Sequence, residues 1–207
     1  MRRIDRIDQE KAAFFDRQAM EAWANDAYTP DEIRHIDRML RMAAIGTGSR
    51  VLEPGCGTGR LTGILCLAVG ETGYVLAADI SQGMIDTCRN RNACFPHLDL
   101  RCGAVEHLDL PPHFFDVVVC HAVFPHFTDP EVTLRILTQS LKVFGHLIVS
   151  HFMGSAELND MHRKAAPVRN DRLPEESAMR KLFESNGLNI VHFEDRPGCY
   201  LLDAVKI

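Results

Sequence analysis

The chain has 207 residues, 46% hydrophobic and 25% charged, which predicts one domain with a substantial core. Its formal net charge of −5 has the wrong sign for a protein that grips nucleic acid, and no apolar run is long enough to span a bilayer. The opening "MRRIDRIDQEKAAFFDRQ" has no signal-peptide core, and the seven cysteines are odd in number with no C-x-x-C pair, which speaks against a disulfide framework or structural zinc and for a cytoplasmic protein.

Residues 1–48 read mostly as helix, with Thr29-Pro30 as the start signal for "PDEIRHIDRMLRMAAIG". Phe14, Phe15 and Trp23 recur at helix-compatible spacing; they pack on the main body or form a lid. From Arg50 to Phe152 short β-rich runs alternate with helical ones. "RVLEP" is a strand that ends at a glycine turn, and "RLTGILCLAV" follows as helix. "YVLAADI" is a second strand ending at Asp79, and Ser81 is an N-cap for the helix "SQGMIDTCRNRNA". "LDLRC" and "FDVVVCHAV" are the third and fourth strands, the latter apolar enough to be buried on both faces. "PEVTLRILTQSLKVF" is expected as helix, with Leu134, Leu137 and Leu141 on one face, and "HLIVSHF" as the fifth strand. Beyond it, "LPEESAMRKLFESNG" is a helix with Pro174 near its start and Gly187 past its end. "LNIVHFED" and "CYLLDAVKI", joined through "RPG", form an antiparallel hairpin. The fold class is therefore α/β: a doubly wound, mostly parallel seven-stranded sheet with an antiparallel last strand and helices on both faces.

The stretch "VLEPGCGTGR" places Gly55, Gly57 and Gly59 at the carboxyl end of the first strand, where open α/β sheets bind ligands. Gly55 and Gly57 fit the first two places of the dinucleotide fingerprint, but its last place falls on Arg60. Glu53 would repel a pyrophosphate. A carboxylate there suits a ligand with a positive group and no phosphate, such as one carrying a free ammonium.

E-P-G-C-G-T-G after a strand resembles motif I of class I S-adenosylmethionine-dependent methyltransferases. "CGAVEHLDLPPHFFDVVVC", "LKVFGHLIVSHF" and "FFDRQAMEAW" resemble further segments of that family in the same order, so the resemblance covers nearly the whole chain. It implies S-adenosylmethionine as cofactor, held by Glu53, Gly55, Cys56, Gly57, Asp79, Ile80, Met84, Ala104, Val105 and Cys120. Asp79 matches the acidic residue on the ribose diol, and Ile80 and Met84 match the apolar positions beside adenine. Two positions depart from the pattern: Ala104 stands where many members have aspartate, and Gly145 stands alone where they have a glycine pair. The implied layout is one domain over 1–207, with a helical cap (1–48), a cofactor-binding core (49–153), a substrate-side insertion (154–173) and a C-terminal helix with hairpin (174–207).

Methyl transfer needs mainly positioning, and a base only where the acceptor must lose a proton. His121, His126, His151 and His162 are the candidate catalytic residues, all expected on the ligand side of the sheet; the alternative for each is a histidine that bonds a loop or faces water. No ligand spacing marks a metal site. Asn159, Arg169 and Asp171 are further polar candidates in the insertion. The place after the fourth strand reads "CHAVFPHF", without the N/D-P-P-Y/F run of enzymes that methylate base or amide nitrogens. The expected partner is a small-molecule acceptor, without nucleic acid or membrane, and the protein a monomer or homodimer. A non-catalytic cofactor-binding or regulatory module is the rival reading. A nicotinamide-dependent oxidoreductase is disfavoured by Arg60 and Glu53.

Overall fold

The central strands of this sheet form where apolar residues run with little interruption, because both faces are covered there, while two of the flanking strands are only partly buried. The computed structural model describes the backbone of residues 3–207 and the side chains of residues 9–207; Met1 and Arg2 of the expected cap lie outside the described residues. In chain order the elements are α1 (Arg3–Gln18), α2 (Ala22–Asn25), α3 (Pro30–Met42), β1 (Arg50–Pro54), α4 (Arg60–Val69), β2 (Tyr74–Asp79), α5 (Gln82–Arg91), β3 (Leu98–Cys102), β4 (Phe115–His121), α6 (Pro130–Ser140), β5 (Leu141–His151), α7 (Ser155–Arg163), α8 (Glu176–Glu184), β6 (Leu188–Arg196) and β7 (Cys199–Lys206). Phe14 and Phe15 thus sit on α1 and Trp23 on the separate α2.

The sheet has the order β3-β2-β1-β4-β5-β7-β6. β1 to β5 are parallel, and β7 runs antiparallel to both neighbours, β5 and β6. The order reverses between β1 and β4, so the switch point lies beyond Pro54 and His121. Side-chain alternation divides the core into two layers. Val51, Val75, Val117 and Ile148 meet Ile36 and Met39 of α3, Leu61 and Leu65 of α4 and Ile85 of α5 on one face. Leu52, Leu76, Val118 and Leu147 meet Leu134 and Leu137 of α6 and Met179 and Phe183 of α8 on the other.

Local signals set the helix ends. Thr29 and Glu32 form a reciprocal capping box at α3, with Glu32 N donating to Thr29 Oγ1 (3.3 Å) and Thr29 N to Glu32 Oε2 (2.7 Å). Ser81 caps α5 by accepting from Met84 N at 3.0 Å.

The helix expected to run through Phe144 instead ends at Ser140. Leu141 keeps the helical spacing of the apolar face but pairs with Phe115 across the sheet, and regular pairing resumes only at His146 opposite Val117. The extra residues bulge out, and a Cβ on Gly145 would lie 2.9 Å from Lys142 O and 3.0 Å from Asp116 O, so the bulge closes only around glycine there. Phe144 beside it is left-handed (φ 63°) and 74% exposed. That conformation costs a non-glycine residue about 1–2 kcal/mol, and asparagine tolerates it better. Phe144→Asn is expected to stabilise the fold by about 1 kcal/mol and raise Tm by about 2–4 °C in calorimetry. A lower Tm would show that the exposed ring contributes more than its backbone costs.

Candidate active site

The glycine turn is built by three left-handed residues, Gly55 (φ 70°), Gly57 (φ 54°) and Gly59 (φ 80°). Two of them are also pinched. A Cβ on Gly55 would stand 2.2 Å from Val123 Cγ2, and one on Gly59 would stand 2.4 Å from Asn92 Nδ2. Gly57 differs: its nearest neighbour would be Met84 Sδ at 4.0 Å, so it borders open space. Gly55 N and Cys56 N donate to Ala78 O (2.7 and 3.0 Å), which ties the turn to the end of β2.

Asp79, at that strand end, organises the turn from below. Its Oδ2 accepts from Gly57 N and its Oδ1 from Ser81 N, both at 2.9 Å. Burial raises its pKa to about 6, against the pull of those backbone donors. Glu53 is 2% exposed, and its Oε2 accepts from Thr62 Oγ1 at 2.6 Å. Burial pushes this carboxyl well above its ordinary range. Arg60, the residue that breaks the dinucleotide pattern, stacks on the Tyr28 ring at 3.8 Å and donates to Trp23 O at 3.1 Å. Its Nε is buried with no protein partner.

These groups line one cavity of about 830 Å³. Glu53, Gly55, Cys56, Gly57, Asp79, Ile80, Met84, Ala104 and Val105 all reach its wall. Cys120 does not: it is fully buried in the core layer with Leu52 and Val118. A strand covered on both faces keeps every interior side chain in the core, and only the residue at its carboxyl end, His121, opens to the cavity.

All four candidate histidines line this same cavity. They fall into two environments. His121 shares Ser150 Oγ with His35: Nδ1 of the former lies at 3.2 Å and Nε2 of the latter at 2.7 Å. Its ring packs edge-on against Phe152 at 4.6 Å, and burial lowers its pKa to about 3. His151 Nδ1 accepts from Met153 N at 3.1 Å, so the neutral ring carries its proton on Nε2; burial lowers its pKa to about 4. His126 is different. Its Nδ1 donates to Asp171 Oδ2 at 2.7 Å, which assigns the neutral ring a bare Nε2. His162 lies 5.0 Å from it, ring to ring, and donates from Nδ1 to Asp171 O at 2.8 Å. Burial depresses the His126 pKa, while the Asp171 carboxylate opposes that shift.

Asp171 was legible as a polar residue of the insertion; its pairing with His126 was not. Asn159 holds the insertion together, exchanging hydrogen bonds with Leu173 N (3.0 Å) and Leu173 O (3.1 Å). Arg169 is not on the cavity wall. The insertion itself is partly helical, as α7. Sequence reasoning missed Tyr28 and Lys11 altogether. Among the described residues no cluster of three or more His, Cys, Asp or Glu forms a metal site, and no helix is long and apolar enough to cross a membrane.

The N-terminal helices complete the cavity. Phe14, Phe15 and Gln18 of α1 and Trp23 and Ala24 of α2 contribute to its wall. Asp16 Oδ1 accepts from Ser81 Oγ (2.6 Å) and Gly83 N (2.9 Å) at the start of α5. Five residues earlier, Lys11 Nζ donates to Asp171 Oδ1 at 3.0 Å and to His126 O at 2.8 Å. The helix thus bridges from the glycine-turn side to the insertion.

Residues 52–149 match the family model described as a methyltransferase domain. The chain is 32% identical over 112 residues to a malonyl-[acyl-carrier protein] O-methyltransferase of Priestia megaterium, covering 54% of this chain and 39% of that protein. It is 33% identical over 108 residues to the ubiquinone/menaquinone biosynthesis C-methyltransferase UbiE of Vibrio campbellii, covering 51% and 42%. The match therefore spans about two-fifths of the length of these relatives. Its fold is similar to that of a SAM-dependent methyltransferase from Aquifex aeolicus, with a TM-score of 0.69 at 18% identity over 87% of this chain and 100% of that one.

Proposed function

We propose, from the premise that the chain carries a class I S-adenosylmethionine-dependent methyltransferase domain, that it methylates a small, neutral, largely apolar acceptor from which His126 removes a proton.

The residues present fit the cofactor. Gly57 leaves room above the turn, and the Asp79 oxygens accept one backbone N–H each and keep lone pairs for a diol. Ile80 and Met84, with Ala104 and Val105, offer an apolar slot on the same wall. The buried Glu53 carboxyl offers an acceptor oxygen, and the unpartnered Arg60 Nε a cationic donor, to a zwitterionic amino-acid portion. When bound, the cofactor supplies an electrophilic methyl group on a sulfonium.

The observation that carries the acceptor reading is the His126–Asp171 pair. The bare Nε2 is the side of the ring left to take a proton, and Asp171 holds the tautomer and stabilises the imidazolium that results. Around the cavity stand Phe15, Phe127, Phe152, Met153, Met161 and Val168. Lys11 is engaged by Asp171, and Arg60, the one arginine or lysine among the described lining residues, is the group offered to the cofactor's carboxylate. An acceptor with net negative charge finds no free counter-ion there, whereas an apolar molecule with a weakly acidic hydroxyl finds both a dry wall and a base.

The test is production of S-adenosylhomocysteine from S-adenosylmethionine with a panel of phenols and other neutral hydroxyl compounds, against charged analogues. Turnover confined to the charged set would overturn the acceptor class. A heat shift with S-adenosylhomocysteine but no turnover with any acceptor would favour the non-catalytic module.

A further inference from the structure

We propose that Lys11 of α1 is a positioning residue for the His126–Asp171 pair: it orients the carboxylate so that His126 keeps its proton on Nδ1 and a bare Nε2 toward the cavity. This rests on the reading of His126 as the base.

The geometry is that of a clamp with Asp171 at its centre. One carboxylate oxygen, Oδ2, accepts from His126 Nδ1 at 2.7 Å; the other, Oδ1, accepts from Lys11 Nζ at 3.0 Å. The same ammonium donates to the backbone carbonyl of His126 at 2.8 Å, so Lys11 fixes both the carboxylate and the main chain that carries the imidazole. Lys11 is 6% exposed and Asp171 9%. A lysine is seldom buried this far unless paired, and here it spans three segments that lie 115 and 160 residues apart in sequence. Loss of the ammonium removes the hydrogen bond that holds Oδ1, so the carboxylate turns more freely and holds the imidazole less firmly in one tautomer.

The groups that face His126 are Asp171 on the strand of chain after α7, Lys11 and the Phe15 ring on α1 (5.2 Å), and His162 on α7 (5.0 Å). His151 on β5 feels its charge in turn. Burial lowers the His126 pKa most, Asp171 raises it, and His162 and Lys11 lower it further. Removal of the Lys11 charge therefore moves the titration upward, while Lys11→Arg leaves it in place.

The experiment is nitrogen-15 NMR of the histidine rings in the full chain, which reads tautomer and titration together and needs no acceptor. Wild type and Lys11→Arg are expected to show the Nδ1–H tautomer of His126. Lys11→Met is expected to show a tautomer mixture and a titration shifted to higher pH. Asp16→Ala frees α1 at its other end and leaves the ammonium in place, so it controls for simple loosening; it is expected to keep the wild-type signature. An unchanged spectrum in Lys11→Met, or the same change in Asp16→Ala, would overturn the proposal. With an acceptor from the panel, Lys11→Met should lower kcat roughly 10- to 100-fold at unchanged KM, with rescue by Lys11→Arg. If His126→Gln instead turns over at the wild-type rate, the base reading fails by itself, and the NMR result still decides the role of Lys11.

Discussion

His126→Gln is expected to lower kcat by about 10²- to 10⁴-fold while affinity for S-adenosylhomocysteine stays within a few-fold of wild type. Glutamine keeps a polar group near Asp171 but has no basic nitrogen to present to the acceptor. On the proposed reading His126 serves the acceptor, with the Phe15 and His162 rings as its neighbours, so cofactor binding is spared. The pH dependence follows from the base role. His126 must be neutral to act, and burial lowers its pKa below the ordinary value. Activity is therefore expected to rise with pH through a value below about 6.5 and to be flat above it. That acidic limb belongs to His126 and should vanish from the residual activity of the variant. A variant with full activity would return His126 to a structural role and leave His121 or His151 as the candidates.

Asp79→Asn is expected to weaken S-adenosylhomocysteine binding by about 10²-fold, read by titration calorimetry or by loss of the ligand-induced heat shift. The carboxylate accepts from Gly57 N and Ser81 N at 2.9 Å each. An amide of the same shape turns one of those contacts into two opposed donors, at a cost of about 1–3 kcal/mol. It also offers a diol one acceptor oxygen instead of two. The pH behaviour separates this from general loosening. The Asp79 pKa is raised to about 6 by burial in the ligand-free protein. Ionised Asp79 is the form that accepts two hydrogen bonds, so wild-type affinity should fall as pH drops below about 6, approaching tenfold per unit. Asp79→Asn should show a flat profile over the same range. For the ligand-free fold the sign is opposite. A carboxyl raised above its unfolded value near 3.9 contributes its full stability below that value, and the contribution is lost as pH rises through about 6. Equal affinity in the two proteins would count against Asp79 as a cofactor residue.

The strands and much of the cavity wall were readable because they are local in sequence. Apolar runs marked β1, β2, β4 and the second half of β5, and a residue at the carboxyl end of a parallel strand must face the switch point, which located Asp79, His121 and His151. Ser81 and Thr29 announced their helices by capping chemistry. The failures share a cause. Leu141 continues a helical apolar spacing, but its pairing partner Phe115 lies across the sheet, and a window along the chain does not contain it. Cys120 was drawn in by its place in a motif, although the burial of β4 on both faces keeps it in the core. Lys11, Asp171 and His126 meet only because α1 folds back across the sheet to the insertion, and no local pattern encodes that encounter.

The position of β7 bears on how the protein is made. It comes last among the strands in chain order yet lies inside the sheet, paired with β5 on one side and β6 on the other. A chain leaving the ribosome N-terminus first can assemble β1 to β5 while residues 199–206 are still in the exit tunnel. Until they emerge, β5 presents an open edge of Leu147, Ile148 and Val149, and β6 has no partner at all. Such an edge invites pairing with other nascent chains. The glycine turn and Asp79 belong to the part that forms early, so under the proposed function a half-synthesised chain already carries the elements that would hold the cofactor, and early ligand capture would favour the productive sheet over aggregation during translation.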